Sequence, residues 1–194
     1  MNSDPRIALI STGGTIGALA EDPLEILDYG AAGSLDAAGL MARCPALERL
    51  ARIVPVAYAA VPSFDIHWPH WLDLIALCEG LAAGQDDLAG IVITHGTGSL
   101  EETSYVFSLI CRLEIPVVFV GAQRPPSAAG SDAWMNLAQA IRVAGDPAAR
   151  GLGALVVMNG EIHAARDVRK TSNLGLETFR SPELGPVGLV AGLE

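Results

Sequence analysis

Lysine is nearly missing from this chain: eleven arginines and one lysine, Lys170, make up its twelve basic residues. Charge of either sign is sparse, at 18%, and acids outnumber bases 22 to 12, giving a formal net charge of −10 and a pI near 4.7. That balance argues against nucleic-acid and anionic-membrane partners, which are held by cationic surface. No run of about eighteen apolar residues occurs, which excludes an ordinary transmembrane helix. The start, Met1-Asn2-Ser3-Asp4-Pro5, lacks the basic segment, apolar stretch and small-residue cleavage site of a secretory signal. Cysteine is scarce and odd in number. Cys44, Cys78 and Cys111 show no CxxC spacing and sit in apolar, helix-like contexts, so they read as buried free thiols of a reducing, cytoplasmic compartment. Internal repeats and low-complexity tracts are absent too. What remains, 194 residues of which 51% are hydrophobic, suffices for one domain with its own core.

Short apolar, β-branched runs alternate with longer segments of helical period. Strands are expected at residues 6–11, 52–58, 90–94, 116–121 and 153–158, most of them continuously apolar, as in strands covered on both faces. Pro55 confines the second to a sheet edge. Helices are expected over residues 35–50 (split by Pro45), 68–83, 99–113 and 132–144. This alternation predicts an α/β fold: a doubly wound, mostly parallel sheet with helices on both faces, a Rossmann-like or flavodoxin-like three-layer sandwich. Three long loops, at residues 18–33, 123–131 and 160–179, follow the first, fourth and fifth strands, at the sheet edge where such folds bind ligands.

The first strand runs into Ser11-Thr12-Gly13-Gly14-Thr15-Ile16-Gly17. Its glycines allow a sharp turn and a close backbone approach to a ligand, but the order is GGxxG, not GxGxxG, and no P-loop lysine follows. By itself the turn fits a ligand cradle and a plain capped turn equally well. The third strand runs into Thr94-His95-Gly96-Thr97-Gly98-Ser99-Leu100-Glu101-Glu102-Thr103, where Ser99 and Glu102 have capping-box spacing at a helix start. Thr97, just before that positive helix end, stands where a developing oxyanion could be stabilised; a purely capping role is the alternative. His67 and His70, three apart and near Asp65, suggest a metal pair, but Pro69 and the helix start between them favour a structural role, so no metal and no cofactor are expected. His163 has no assignable role.

Taken together, TGGTIG, PSFD, HGTGSLEET, VGAQRP and RDVRKT stand in the order and spacing of one family. The sequence resembles the bacterial-type L-asparaginases, whose patterns read TGGTI, HGTDTxEET, GAMRP and GRDVxKT. The resemblance runs from Ile7 to about Val190 and implies that residues 1–194 form a single N-terminal-type catalytic domain, with the family's smaller C-terminal domain absent. One reading of Leu193-Glu194 is a tail of cloning origin. The resemblance further implies an amidohydrolase with a threonine nucleophile, Thr15, assisted by Tyr29 from the following loop. It pairs Thr97 with Lys170, whose amine becomes a base once burial lowers its pKa. It gives the substrate carboxylate to Ser63 and surrounds the reacting amide with the backbone of Gly14, Thr97 and Ala122. Asp132 and Arg166-Asp167 match residues that keep the family's loops in shape, and His95 matches a supporting position rather than a base. Family members assemble as dimers of dimers, so a homodimer or homotetramer is expected.

The pattern departs from the family at the ammonium site. Gly98 stands where the family has an aspartate, and Phe64 where it has a glutamine, so both usual ammonium ligands of this domain are replaced. Burying an ammonium without an anion costs several kcal/mol. Either other acids compensate, with Asp65, Glu101 or an interface residue as candidates, or the substrate carries no α-ammonium. The first keeps an asparaginase acting on L-asparagine, with L-glutamine as a further substrate; the second gives an ω-amidase. A small-amide-binding module without catalysis is the rival from another class.

Overall fold

The computed structural model describes residues 4–192; Leu193-Glu194, the tail considered above, lies outside them. In chain order the elements are β1 (Arg6–Ser11), α1 (Ala37–Arg43), β2 (Arg52–Val56), α2 (Trp68–Ala83), β3 (Leu88–Thr94), α3 (Leu100–Ile110), β4 (Val117–Val120), α4 (Ala133–Gly145), β5 (Ala154–Met158), β6 (Glu161–Ala164), β7 (Arg169–Lys170), β8 (Phe179–Arg180) and β9 (Gly188–Leu189). The main sheet has the order β2-β1-β3-β4-β5-β6-β9. Its first five strands are parallel, and β6 and β9 are added antiparallel at the far edge. Sequential connections leave β1 toward β2 on one side and reach β3 on the other. This reversal opens a crevice at the carboxyl ends of β1 and β3, the switch point where open α/β sheets take ligands.

All residues of β4 and β5 are buried, as are five of the six in β1, which is why these strands read as unbroken apolar runs. Phe107 of α3 meets Phe119 of β4 edge to face at 4.9 Å, and burying rings of this size stabilises the fold by about 1.5–3 kcal/mol each. α4 packs across β1, β3, β4 and β5. Its approach to β3 depends on Gly90, where a Cβ would lie 2.1 Å from the Ala144 carbonyl oxygen. α2 and α3 are tied by the Trp71 indole N–H donating to Thr103 Oγ1 at 3.0 Å. Pro55 sits in β2, on the sheet edge where its missing N–H costs no ladder bond. Pro45 ends α1 and opens a 3₁₀ turn, Pro45–Arg49.

The structure corrects several expectations. Residues 160–179 are not simply a loop: Asn159 and Gly160, at φ 51° and 79°, form a two-residue turn that folds β6 back on β5, and β7 follows, pairing with β8. Ser99 stands at the N-cap of α3 but makes no capping bond; its hydroxyl donates to the Ser63 carbonyl instead. Of the three free cysteines only Cys78 is buried, and Cys44 and Cys111 are partly exposed. Burial pushes the Cys78 thiol far up, and it stays protonated. Among the described residues no helix is long and apolar enough to cross a membrane.

Candidate active site

The glycine turn after β1 and the HGT turn after β3 meet in the switch-point crevice. Thr12 bonds the end of β3 twice: its N–H and its hydroxyl both donate to the Thr94 carbonyl, at 3.1 and 3.0 Å. Gly13 and Gly14 follow with φ of 95° and 85°, a backbone that side chains resist. A Cβ on Gly14 would lie 2.3 Å from the Gly96 Cα, so the two turns are in backbone contact and position 14 must be glycine. The 3₁₀ turn Ser63–Asp65 closes the third side, held by the Ser99 hydroxyl on the Ser63 carbonyl.

A cleft of about 560 Å³ opens between these turns, and Gly14, Thr15, Tyr29, Ser63, Phe64, Thr97 and Gly98 are among its lining residues. Two polar pairs stand at this site. Thr15 Oγ1 lies 2.7 Å from Tyr29 Oη, and Lys170 Nζ donates to Thr97 Oγ1 at 2.7 Å. The loop carrying Tyr29 is folded: Gly30 N–H donates to the Leu19 carbonyl and Leu19 N–H to that of Gly33, at 2.8 and 2.9 Å. It also rests on the 123–131 loop through Ala20 N–H to Ser127 Oγ at 2.8 Å. Burial pushes the Lys170 amine below its ordinary range, while the Glu101 carboxylate pulls the other way. A neutral amine beside a hydroxyl can take up its proton, and a hydroxyl relieved of its proton can attack a carbonyl carbon.

Most of the residues singled out from sequence come together here, and four are not in the cleft lining: Lys170, which reaches it only through its bond to Thr97, and Ala122, Asp65 and Glu101. Ala122 is fully buried behind it; the preceding Gly121 is in close contact with Thr97, where a Cβ would stand 2.9 Å from Thr97 Cγ2. Asp65 is exposed and outside the lining, because the 3₁₀ turn presents Ser63 and Phe64 to the cleft. Glu101 is turned away onto β7, where its carboxylate accepts the Lys170 backbone N–H and stands 3.9 Å from the Arg169 guanidinium. A Cβ on Gly98 would lie 2.8 Å from Ser63 Oγ, the tip of a side chain that can turn aside, so position 98 lacks an acid without being closed to one. The lining of the cleft among the described residues is therefore uncharged, with the hydroxyls of Thr15, Tyr29, Ser34, Ser63 and Thr97 set among Ala18, Ala60, Val61, Pro62 and Phe64.

Ser34 and the segment Ala60–Pro62 were not expected in the wall. Ser34 arrives by the bridge Ala18↔Ser34, and Val61 by its N–H donating to the Thr12 carbonyl at 2.8 Å, contacts between segments that carry no local sequence signal. The supporting residues are also in place. Asp132 accepts the N–H groups of Gln123 and Arg124, and Asn136 donates to the Gly121 carbonyl at 3.1 Å, which fixes the loop after β4. Asp167 accepts the Leu184 N–H at 2.9 Å, whereas Arg166 is exposed. His95 is fully buried, with Nδ1 2.8 Å from the Gly96 carbonyl, and burial pushes its imidazole down to about 4. His67 and His70 belong to the start of α2, where the His67 N–H donates to His70 Nδ1 at 3.4 Å. His163 is buried in β6 with Nδ1 3.0 Å from Ser181 Oγ.

Comparison with known proteins covers nearly the whole chain. The family described as "Asparaginase, N-terminal" matches residues 6–194. The chain is 38% identical over 187 residues to "L-asparaginase 2" of Bacillus subtilis, covering 96% of this chain and 49% of that one. It is 39% identical over 185 residues to "Glutaminase-asparaginase" of Pseudomonas aeruginosa, covering 95% and 50%. The crystal structure of a "Probable Cytoplasmic L-asparaginase" from Campylobacter jejuni superposes with a TM-score of 0.88 at 33% identity, over 97% of this chain and 56% of that chain. The chain thus spans about half the length of the curated relatives it matches.

Proposed function

The chain belongs to the asparaginase family, whose N-terminal domain it matches, and on that footing we propose that it hydrolyses the side-chain amide of L-asparagine through an acyl-enzyme on Thr15. The carrying observation is the pair of 2.7 Å contacts at one cleft, Thr15 with Tyr29 and Thr97 with Lys170. Thr15 Oγ1 attacks the amide carbon while its proton is relayed through the Tyr29 hydroxyl, which takes it up as it passes its own proton on toward the amide nitrogen. The backbone of Gly14, Thr97 and Ala122 surrounds the reacting amide, and Ser63 receives the substrate carboxylate. As the tetrahedral intermediate collapses, the C–N bond breaks and the nitrogen leaves as ammonia with the proton returned to it. Water, deprotonated through Thr97 by the Lys170 amine in its unprotonated form, attacks the acyl ester; the C–O bond to Thr15 breaks, and the Thr15 oxygen takes the proton of the new carboxyl group, giving L-aspartate and the free hydroxyl. No metal or cofactor takes part in this scheme. L-Glutamine is a further substrate in this reading, and the protein works as a cytoplasmic homodimer or homotetramer, which sedimentation equilibrium checks directly.

A second reading has its own observation. The uncharged lining, with glycine at position 98 and Asp65 and Glu101 directed elsewhere, supports an ω-amide substrate lacking the α-ammonium. Ammonia release from L-asparagine, L-glutamine and succinamic acid, beside a Thr15→Ala variant, separates the readings. Release from L-asparagine that vanishes in the variant is expected. A clear preference for succinamic acid replaces the first reading by the second, and silence from folded protein on all three leaves only a binding module.

A further inference from the structure

Lys170 must be placed at both ends for its amine to serve Thr97. Its side chain is long and flexible, so a 2.7 Å contact at Nζ requires a fixed backbone as well as a fixed target. Its own strand offers little: β7 and β8 have two residues each, paired Arg169↔Arg180 and Lys170↔Phe179. The missing restraint comes from the segment that carries the target. Thr97 and Glu101 are four residues apart, across the start of α3; Thr97 Oγ1 accepts from Lys170 Nζ while the Glu101 carboxylate accepts from the Lys170 backbone N–H.

We infer that Glu101 is a positioning residue for the Thr97–Lys170 pair, clamping the lysine backbone from the same short segment that receives its amine. This rests on the catalytic reading of Thr97 and Lys170 above. Glu101 also has an electrostatic effect. The charged groups packed around the lysine are Glu101 from α3 and Arg169 from its own strand, with Arg180 opposite Arg169 and tied to Glu177. Glu101 is the carboxylate whose charge favours the ammonium, and it opposes the burial that favours the amine. One side chain thus fixes where the base stands and moderates when it loses its proton. It is not the ammonium ligand that its place in the sequence suggested.

The test compares Glu101→Ala, which removes acceptor and charge, with Glu101→Gln, which keeps a carbonyl acceptor and removes the charge alone. In ammonia-release kinetics Glu101→Ala is expected to lose about a hundredfold in kcat, with KM for L-asparagine and succinamic acid nearly unchanged. Glu101→Gln is expected to recover most of that loss, with the acid limb of kcat/KM moved to lower pH because the amine gives up its proton more easily. A rise in KM confined to L-asparagine would overturn the inference in favour of ammonium binding. Equal losses in both variants with an unmoved acid limb would reduce Glu101 to a structural role. Since Lys170 is the only lysine, amine-specific labelling against pH, read peptide by peptide, reports its titration without any turnover. If the wild type releases no ammonia, the functional reading fails, yet the labelling midpoint still falls in Glu101→Gln if the inference holds. A midpoint that stays put overturns it.

Discussion

At the residue scale the proposal depends on oxygen and nitrogen atoms a few ångströms apart. Tyr29 Oη stands 2.7 Å from Thr15 Oγ1 and lines the same cleft, so Tyr29→Phe removes one hydroxyl and nothing of the ring's packing. Its kcat is expected to fall about 10²–10⁴-fold, the usual contribution of a positioned proton-transfer group, with KM little altered. Steady-state ammonia release decides it; a loss confined to KM would make Tyr29 a binding contact. Several of these residues were legible in the sequence because their types are rare or their motifs long: a chain with one lysine that falls in RDVRKT draws attention to that lysine. Glu101 and Asp65, candidates for a compensating acid, lie outside the cleft lining, because nearness along the chain does not fix side-chain direction. The first turn of α3 aims Glu101 at a two-residue strand that no periodicity could have revealed, and a 3₁₀ turn leaves Asp65 in solvent.

At the scale of elements, the central strands and the helices were legible because each is long enough to show its period and each carries its own punctuation. Pro45 divides the first helical stretch, and Pro55 marks an edge strand. The antiparallel edge of β6 and β9 and the separate β7–β8 pair were not, since these strands have only two to four residues each and no apolar run marks them. Asn159-Gly160 is a strong hairpin signal, but the four residues of β6 that follow it are too few to read as a strand on their own. Contacts between elements are tighter than composition suggests. At Gly90 the carbonyl of Ala144 occupies the space of a side chain, so Gly90→Ala must push α4 away from β3. The expected cost is about 1–3 kcal/mol, the range for overpacking a well-filled interior, and urea unfolding midpoints measure it. α4 also carries Asn136, which bonds the Gly121 carbonyl beside Thr97, so the same variant is expected to lose activity at temperatures where it is still folded. Full activity with an unchanged midpoint would mean that the helix yields freely there.

Over the whole molecule, charge and a buried imidazole set the acid limit. His95 is fully buried, its Nδ1 is engaged by the Gly96 carbonyl, and its Nε2 has no partner, so a second proton would add an unsatisfied buried charge. Its pKa is pushed from 6.5 in the unfolded chain down to about 4 in the fold. Above pH 6.5 the imidazole is neutral in both states and contributes nothing to the pH dependence. As pH falls from 6.5 toward 4 the unfolded chain takes up a proton that the folded one refuses, and stability is lost, by roughly 3 kcal/mol at the lower end. His163, whose pKa is lowered mainly by burial, acts in the same direction. The pI near 4.7 lies inside this window. The native protein, at −10 near neutrality, is kept apart by its charge, but around pH 5 it is both easier to open and close to uncharged. Urea midpoints taken between about pH 7.5 and pH 4.5 are therefore expected to fall steeply for the wild type and less steeply for His95→Asn, which cannot titrate there. Unfolding near the pI should end in precipitation, while unfolding at neutral pH should be reversible. Parallel slopes for the two proteins would show that protonation of His95 does not govern the loss and would shift it to His163 and the carboxylates.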